Sequence, residues 1–162
     1  MMLDEQKARA RRCAPAAMPT EVVAVETRFG IYEFTPDNMI HMPRGPHGFT
    51  EYRNFGLANL PNPAPEHFKL LQSLDDPQLS FIVTPLDAQA GIVAPDDLRD
   101  GAASVGMSMD EAVFVLIVTL RPTDKGTSAT VNLRAPIVLD LERRVGRQVV
   151  LANNRYLIQQ PL

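Results

Sequence analysis

The sequence predicts an all-β, mainly antiparallel fold, a compact β-barrel-like single domain with at most short helices. Three observations point there. Short apolar runs alternate with polar residues at a period of two, the pattern of strands with one buried face. Turn residues, including 14 prolines and 9 glycines in 162 residues, fall between those runs. The longest apolar stretch, Val113–Leu120, is β-branched and aromatic, which favours a buried strand over a helix.

Taken in order, Val23, Val25, Thr27, Phe29 and Ile31 alternate with Ala24, Glu26, Arg28 and Gly30, and Gly30 is placed to turn the run into a hairpin. Thr35-Pro36-Asp37-Asn38 is turn chemistry, followed by a short strand at Met39–Met42 and a loop at Pro43–Phe49. Leu57–Leu60 is a strand, and Pro61, Pro63 and Pro65 stiffen the connection after it. Phe68–Leu74 and Leu79–Leu86 flank Asp75-Asp76-Pro77-Gln78, a tight turn.

Pro95 with Asp96 and Asp97 opens a short helix, because early carboxylates favour the positive end of the helix dipole. Ser108 to Glu111 matches a capping box in outline. After the Val113–Leu120 strand, Pro122–Ser128 reads as a loop. Ala129–Leu133 and Pro136–Glu142 read as strands, Arg143–Arg147 as a turn around Gly146, and Gln148–Leu151 as the return strand. Within this region Val131 and Leu133 face the core, the proline of Ala135-Pro136 interrupts the ladder, and Ile137, Leu139 and Leu141 resume the buried face.

Charge divides the chain. The net charge is −3, yet residues 1–20 carry +2 and the body from residue 21 carries −5. The Ala- and Arg-rich stretch 1–20 reads as a flexible basic extension, and residues 21–162 as the folded domain. An acidic body repels phosphate backbones, so no direct contact with nucleic acid is expected, and a basic protein partner suits it better. The lone Cys13 allows no internal disulfide, which fits a reducing compartment. No apolar run reaches membrane-spanning length, and the N-terminal stretch does not read as a secretory signal. The expected setting is cytoplasmic, without membrane association.

The chemistry-bearing residues are sparse. His41, His47 and His67 show no metal-ligand spacing, so no metal site and no cofactor are expected. Gly106-Met107-Ser108-Met109-Asp110 approaches a nucleophile elbow but lacks the second glycine that its sharp turn requires. The adjacent carboxylates Asp75/Asp76 and Asp96/Asp97 fall in a turn and a helix start, where both face water. Arg143, Arg144 and Arg147 read as a solvated basic turn. With no catalytic residues to name, the chain reads as a binding protein and not an enzyme; a small-ligand-binding β-barrel and a small all-β enzyme are the rival classes.

One stretch is more specific. Ala129-Thr130-Val131-Asn132-Leu133-Arg134-Ala135-Pro136-Ile137-Val138-Leu139-Asp140, followed by Val145-Gly146-Arg147-Gln148-Val149-Val150-Leu151, resembles the flagellar assembly factor FliW family. So do Phe68–Pro85 and the ending from Arg155-Tyr156 to Pro161-Leu162. Two segments depart from the family pattern: the loop Gly45-Pro46-His47-Gly48-Phe49, and the ending, where Leu157 follows Tyr156 and Gln160 precedes Pro161. The resemblance implies a compact β-barrel-like fold, no catalysis, and a monomer that switches between two protein partners. One is CsrA, a small basic translational regulator; the other is flagellin. The expected contact surface is acidic, with Glu66, Asp75 and Asp76 around the turn and Asn132 and Arg134 at the adjoining strand edge.

Overall fold

The computed structural model describes residues 19–162. The expected basic extension therefore lies, up to residue 18, outside the described residues. Among those described are eleven strands and one α-helix.

The first hairpin pairs β1 (Val23–Thr27) with β2 (Gly30–Phe34). Arg28 and Phe29 form its two-residue loop, Gly30 takes φ 116°, and the Thr27 hydroxyl donates to the Gly30 carbonyl at 2.8 Å. Because the chain reverses there, the alternation restarts out of phase. Ile31 pairs with Glu26 and faces solvent instead of the core.

A closed barrel of seven strands follows: β3 (Met39–His41), β4 (Asn54–Asn59), β5 (Lys69–Ser73), β6 (Ser80–Pro85), β7 (Ala112–Thr123), β9 (Ile137–Asp140) and β10 (Val145–Gln148). Neighbours are antiparallel except at the seam, where β10 meets β3 in parallel through the single pair Val145 and His41. The twelve-residue β7 carries β6 on one side. On the other it carries first β9 and then β8 (Gly126–Val131), so that β8 and β9 form one path interrupted at Asn132–Pro136. A two-residue strand, β11 (Gln160–Pro161), lies along β8.

Packing has three layers. Ile40, Phe55, Leu71, Val83, Val115, Ile137 and Leu139, contributed by alternate positions of β3 to β7 and β9, fill the barrel interior. The hairpin β1–β2 covers the outside of β3 and β4 through Val25, Phe34 and Met39. Phe34 lies flat over Gly56 of β4, where any Cβ would fall within its ring; glycine is there for close approach. On the opposite flank, the helix α1 (Pro95–Ser104) seals the outer faces of β7 and β9 with Leu98 and Ala102, and Gly101 lets it approach Val149 and Leu151.

Several sequence expectations shift, among them β4, which runs Asn54–Asn59 instead of Leu57–Leu60. The segment Pro122–Ser128, read as a loop, is instead the continuation of β7 and the start of β8. The two strands pair as far as Thr123 and Gly126 around a turn of Asp124 and Lys125. The turn expected around Gly146 sits earlier, at Leu141–Arg144, where the buried Asp140 carboxylate accepts the backbone N–H groups of Glu142 and Arg143 at 3.1 and 3.0 Å. Arg144 completes it at φ 56°, and its guanidinium donates to the Pro36 carbonyl. The return strand accordingly begins at Val145, not Gln148. All of β9 is buried on both faces, since Val138 meets the α1 layer while Leu139 points into the barrel; Leu141, just past it, is exposed.

Candidate partner-binding surface

The turn after β5 is built around two interior side chains. Ser73 is buried, and its Oγ accepts the N–H groups of Asp75 and Asp76 at 3.1 and 3.0 Å. Gln72 is completely buried, and its Nε2 faces four carbonyl oxygens, those of Ser73, Asp76, Pro77 and Leu79, at 3.0–3.2 Å. An amide group has two hydrogens for these four acceptors, so the nitrogen acts as the hub that curls the turn around itself. Its partner atom Oε1 is buried without a hydrogen bond among the described residues. Asp76 Oδ1 accepts the Gln78 N–H at 2.9 Å, which half-buries Asp76 and leaves Asp75 exposed. The outcome is a stiff turn with one free carboxylate and one engaged in the turn itself.

Glu66 is exposed in the proline-rich connection that precedes β5, whereas Asp75 and Asp76 follow it. A five-residue strand separates them, about 16 Å at the usual rise. Asn132 and Arg134 lie at the interruption between β8 and β9. The Asn132 N–H donates to the Ile117 carbonyl, in the row of paired residues that runs through Val83 to Lys69, the Glu66 end of β5. Asn132 Oδ1 accepts the N–H groups of Arg134 and Ala135, both at 3.1 Å, which fixes the kink. Arg134 donates to Asn154 Oδ1 at 2.6 Å, tying the kink to the C-terminal segment. The structure thus brings Asp75 to Asp76 and Asn132 to Arg134, and sets Glu66 apart from the acidic turn.

A second feature has no counterpart among the sequence candidates. Tyr156 is buried beneath the C-terminal segment, and its phenol is fully used: it donates to Asp97 Oδ2 at 2.6 Å and accepts from Ala94 N–H at 2.9 Å and from Arg155 at 3.0 Å. The Arg155 guanidinium also lies 5.0 Å from the centre of the tyrosine ring. Hydrogen bonding to the Tyr156 oxygen, helped by the nearby Asp97 carboxylate, raises the pKa of Arg155 above its ordinary value. This network pins the C-terminal segment to the first turn of α1. Beside it opens a shallow groove of about 340 Å³, lined by Ile92, Leu133, Arg155, Tyr156, Leu157 and Gln160. A sequence signal existed in the Tyr156-Leu157-Ile158 run, whose two aliphatic residues emerge largely exposed.

Among the described residues, no group of three or more histidine, cysteine or acidic side chains is placed to hold a metal. None of their helices is long and apolar enough to cross a membrane.

A closed seven-stranded barrel with one flanking helix, and the Asn132–Pro136 kink within it, invites comparison with known proteins. The family model described as FliW protein matches residues 24–162. The chain belongs to the FliW family. A flagellar assembly factor FliW from Geotalea uraniireducens is 37% identical over 136 residues, covering 83% of this chain and 80% of that protein. One from Symbiobacterium thermophilum is 33% identical, covering 78% and 90%, and one from Desulfitobacterium hafniense is 34% identical, covering 84% and 88%. A crystal structure of the flagellar assembly factor FliW shares the fold, with a TM-score of 0.62 at 24% identity, covering 85% of this chain and 95% of that one.

Proposed function

We propose that this chain is a non-enzymatic flagellar assembly factor of the cytoplasm that binds the translational regulator CsrA, relieves its repression of flagellin mRNA translation, and binds flagellin in exchange. The observation that carries the reading is the family match across residues 24–162. Two features support it. The body from residue 21 bears −5, suited to a basic partner. The turn at Asp75 and Asp76 is held by Gln72 and Ser73, so presenting its carboxylate requires no further ordering.

On this reading the protein works as a monomer, with no cofactor, no nucleic-acid contact and no membrane, and Asp75 and Asp76 carry the CsrA contact. Glu66, Asn132 and Arg134 act as the flanking contacts, and residues 1–20 form a basic extension of the domain. The rival reading, a small-ligand-binding barrel, is disfavoured by an interior filled with Ile40, Phe55, Leu71, Val83, Val115, Ile137 and Leu139.

The test is a titration of purified protein with CsrA and with flagellin, followed by competition between them. Binding of each, with flagellin displacing CsrA, is the expected result. Failure to bind either partner sinks the proposal. The Asp75→Lys/Asp76→Lys double variant should bind CsrA more weakly and with less salt dependence. Asp75→Lys/Asp76→Asn should behave alike, and its retained side-chain oxygen can still cap Gln78. Unchanged affinity in both removes the turn from the interface. Comparison with a chain lacking residues 1–20 tests the extension.

A further inference from the structure

The negative charge of the domain is not spread evenly. Residues 87–111 hold six carboxylates, Asp87, Asp96, Asp97, Asp100, Asp110 and Glu111, against the single cation Arg99, a balance of −5 that equals the net charge of residues 21–162. Outside this stretch the domain is neutral. At its centre is α1, whose Asp96 and Asp100 are exposed while Leu98, Gly101 and Ala102 face inward. The Asp96–Arg99 pair, with both side chains largely in water, takes little from that field.

Directly beside α1 lies the groove floored by Tyr156. The two are joined by the Tyr156 bonds to Asp97 and to the Ala94 N–H. Large aliphatic side chains stand exposed at its rim and just past it: Ile92 at 56%, Leu157 at 54% and Ile158 at 59%. Exposed apolar groups gathered at a concavity beside a cluster of carboxylates are what a protein-docking surface requires. Arg155, the cation within the groove, is already engaged by the Tyr156 phenol.

We infer that this groove and the carboxylate face of α1 form one docking surface for a basic protein, which seats an aliphatic or aromatic side chain between Ile92 and Leu157 while its cations face Asp96 and Asp100. The inference rests on the proposed function, in that the chain acts by binding a basic partner, and it adds a second contact area to the one at Asp75 and Asp76. Charge complementarity selects the occupant. A second copy of this chain would bring like charge against α1, whereas a cationic segment is drawn to it and is oriented before contact. The surface is preformed, because α1 is locked on Val149 and Leu151 and the C-terminal segment is pinned by Tyr156, so little ordering opposes binding.

The test measures CsrA binding, as the basic probe, across a salt series for the full chain and four variants. Asp96→Lys/Asp100→Lys should weaken binding about tenfold at low salt and flatten its salt dependence. Leu157→Ser should weaken it about tenfold at every salt concentration, since an apolar anchor is unscreened. Ile92→Ser, on a separate segment, should do the same and serves if Leu157→Ser fails to fold. Asp124→Lys, in the turn between β7 and β8, should bind as the parent does. Parent-like affinity for the α1 and groove variants, while Asp75→Lys/Asp76→Lys loses binding, overturns this inference and leaves the proposed function standing. If the unmodified chain does not bind CsrA at all, the proposed function fails and takes this surface with it.

Discussion

Replacing Tyr156 by phenylalanine removes one oxygen and three hydrogen bonds while keeping the ring that floors the groove. The bond to Asp97, at 2.6 Å, is charge-assisted and contributes about 1.5–3 kcal/mol, and the Ala94 N–H bond about 0.5–1.5 kcal/mol. The Arg155 bond is made by an exposed side chain and adds little. Asp97 and Ala94 are half-buried, so water recovers part of the loss, and the expected destabilisation is about 2 kcal/mol. For a domain of this size that lowers the melting temperature by roughly 4–8 °C. The assay is urea and thermal unfolding of Tyr156→Phe, Asp97→Ala and the double variant. A coupling of about 1 kcal/mol or more is expected between the two positions, because they share one bond. Stability of Tyr156→Phe within about 0.5 kcal/mol of the parent, or strict additivity in the cycle, would refute the claim that this phenol fastens the C-terminal segment to α1.

Further outcomes follow from the same contacts. Gly56→Ala should destabilise by about 1–3 kcal/mol, because its methyl enters the space of the Phe34 ring; chemical unfolding with an unchanged slope checks it. Gln72→Leu removes the hub of the turn, and hydrogen exchange of the amides of Asp75, Asp76, Gln78 and Leu79 should accelerate while amides of β7 keep their protection. Asn132→Ala should cost about 1–2 kcal/mol, as the Arg134 and Ala135 N–H groups lose their acceptor, and Asn132→Asp should retain most of the stability. Each is read by equilibrium unfolding or amide exchange.

Most strands from β1 to β6 were legible as short apolar runs bounded by proline, glycine or an Asx turn, and β7 as a β-branched stretch, although β4 begins at Asn54, three residues before the expected Leu57. Pro122 and Gly126 misled for a physical reason. Proline and glycine usually end a strand, but the β7–β8 hairpin extends past the paired region of β6, where a missing N–H harms no other ladder. Gly146 was read as a turn residue, yet it lies in a strand and is there to make room, since a Cβ would sit 2.8 Å from Leu139 Cδ2 and 3.2 Å from Ile40 Cγ2. Alternation failed at Val138, buried on the second face of a strand that has packing on both sides. The acidic turn was visible in Asp75-Asp76-Pro77-Gln78, but Gln72 was not, because nothing in a strand pattern distinguishes a glutamine that faces water from one that points into its own turn. Nor was the Tyr156 network, which joins residues about sixty positions apart through tertiary packing alone.

The seam between β3 and β10 also governs how the chain reaches its native state. Its two sides are about a hundred residues apart in sequence, and they meet through one parallel pair reinforced by the His41 N–H bond to the Arg144 carbonyl. The β4–β5 and β5–β6 hairpins close over connections of nine and six residues and can form early, whereas the seam bears the largest loss of chain entropy for the fewest bonds. Zipping should therefore start in the β4–β6 meander and finish when β9 and β10 swing the sheet shut. A substitution at the seam, such as Val145→Ala, should accelerate unfolding while leaving the refolding rate nearly unchanged.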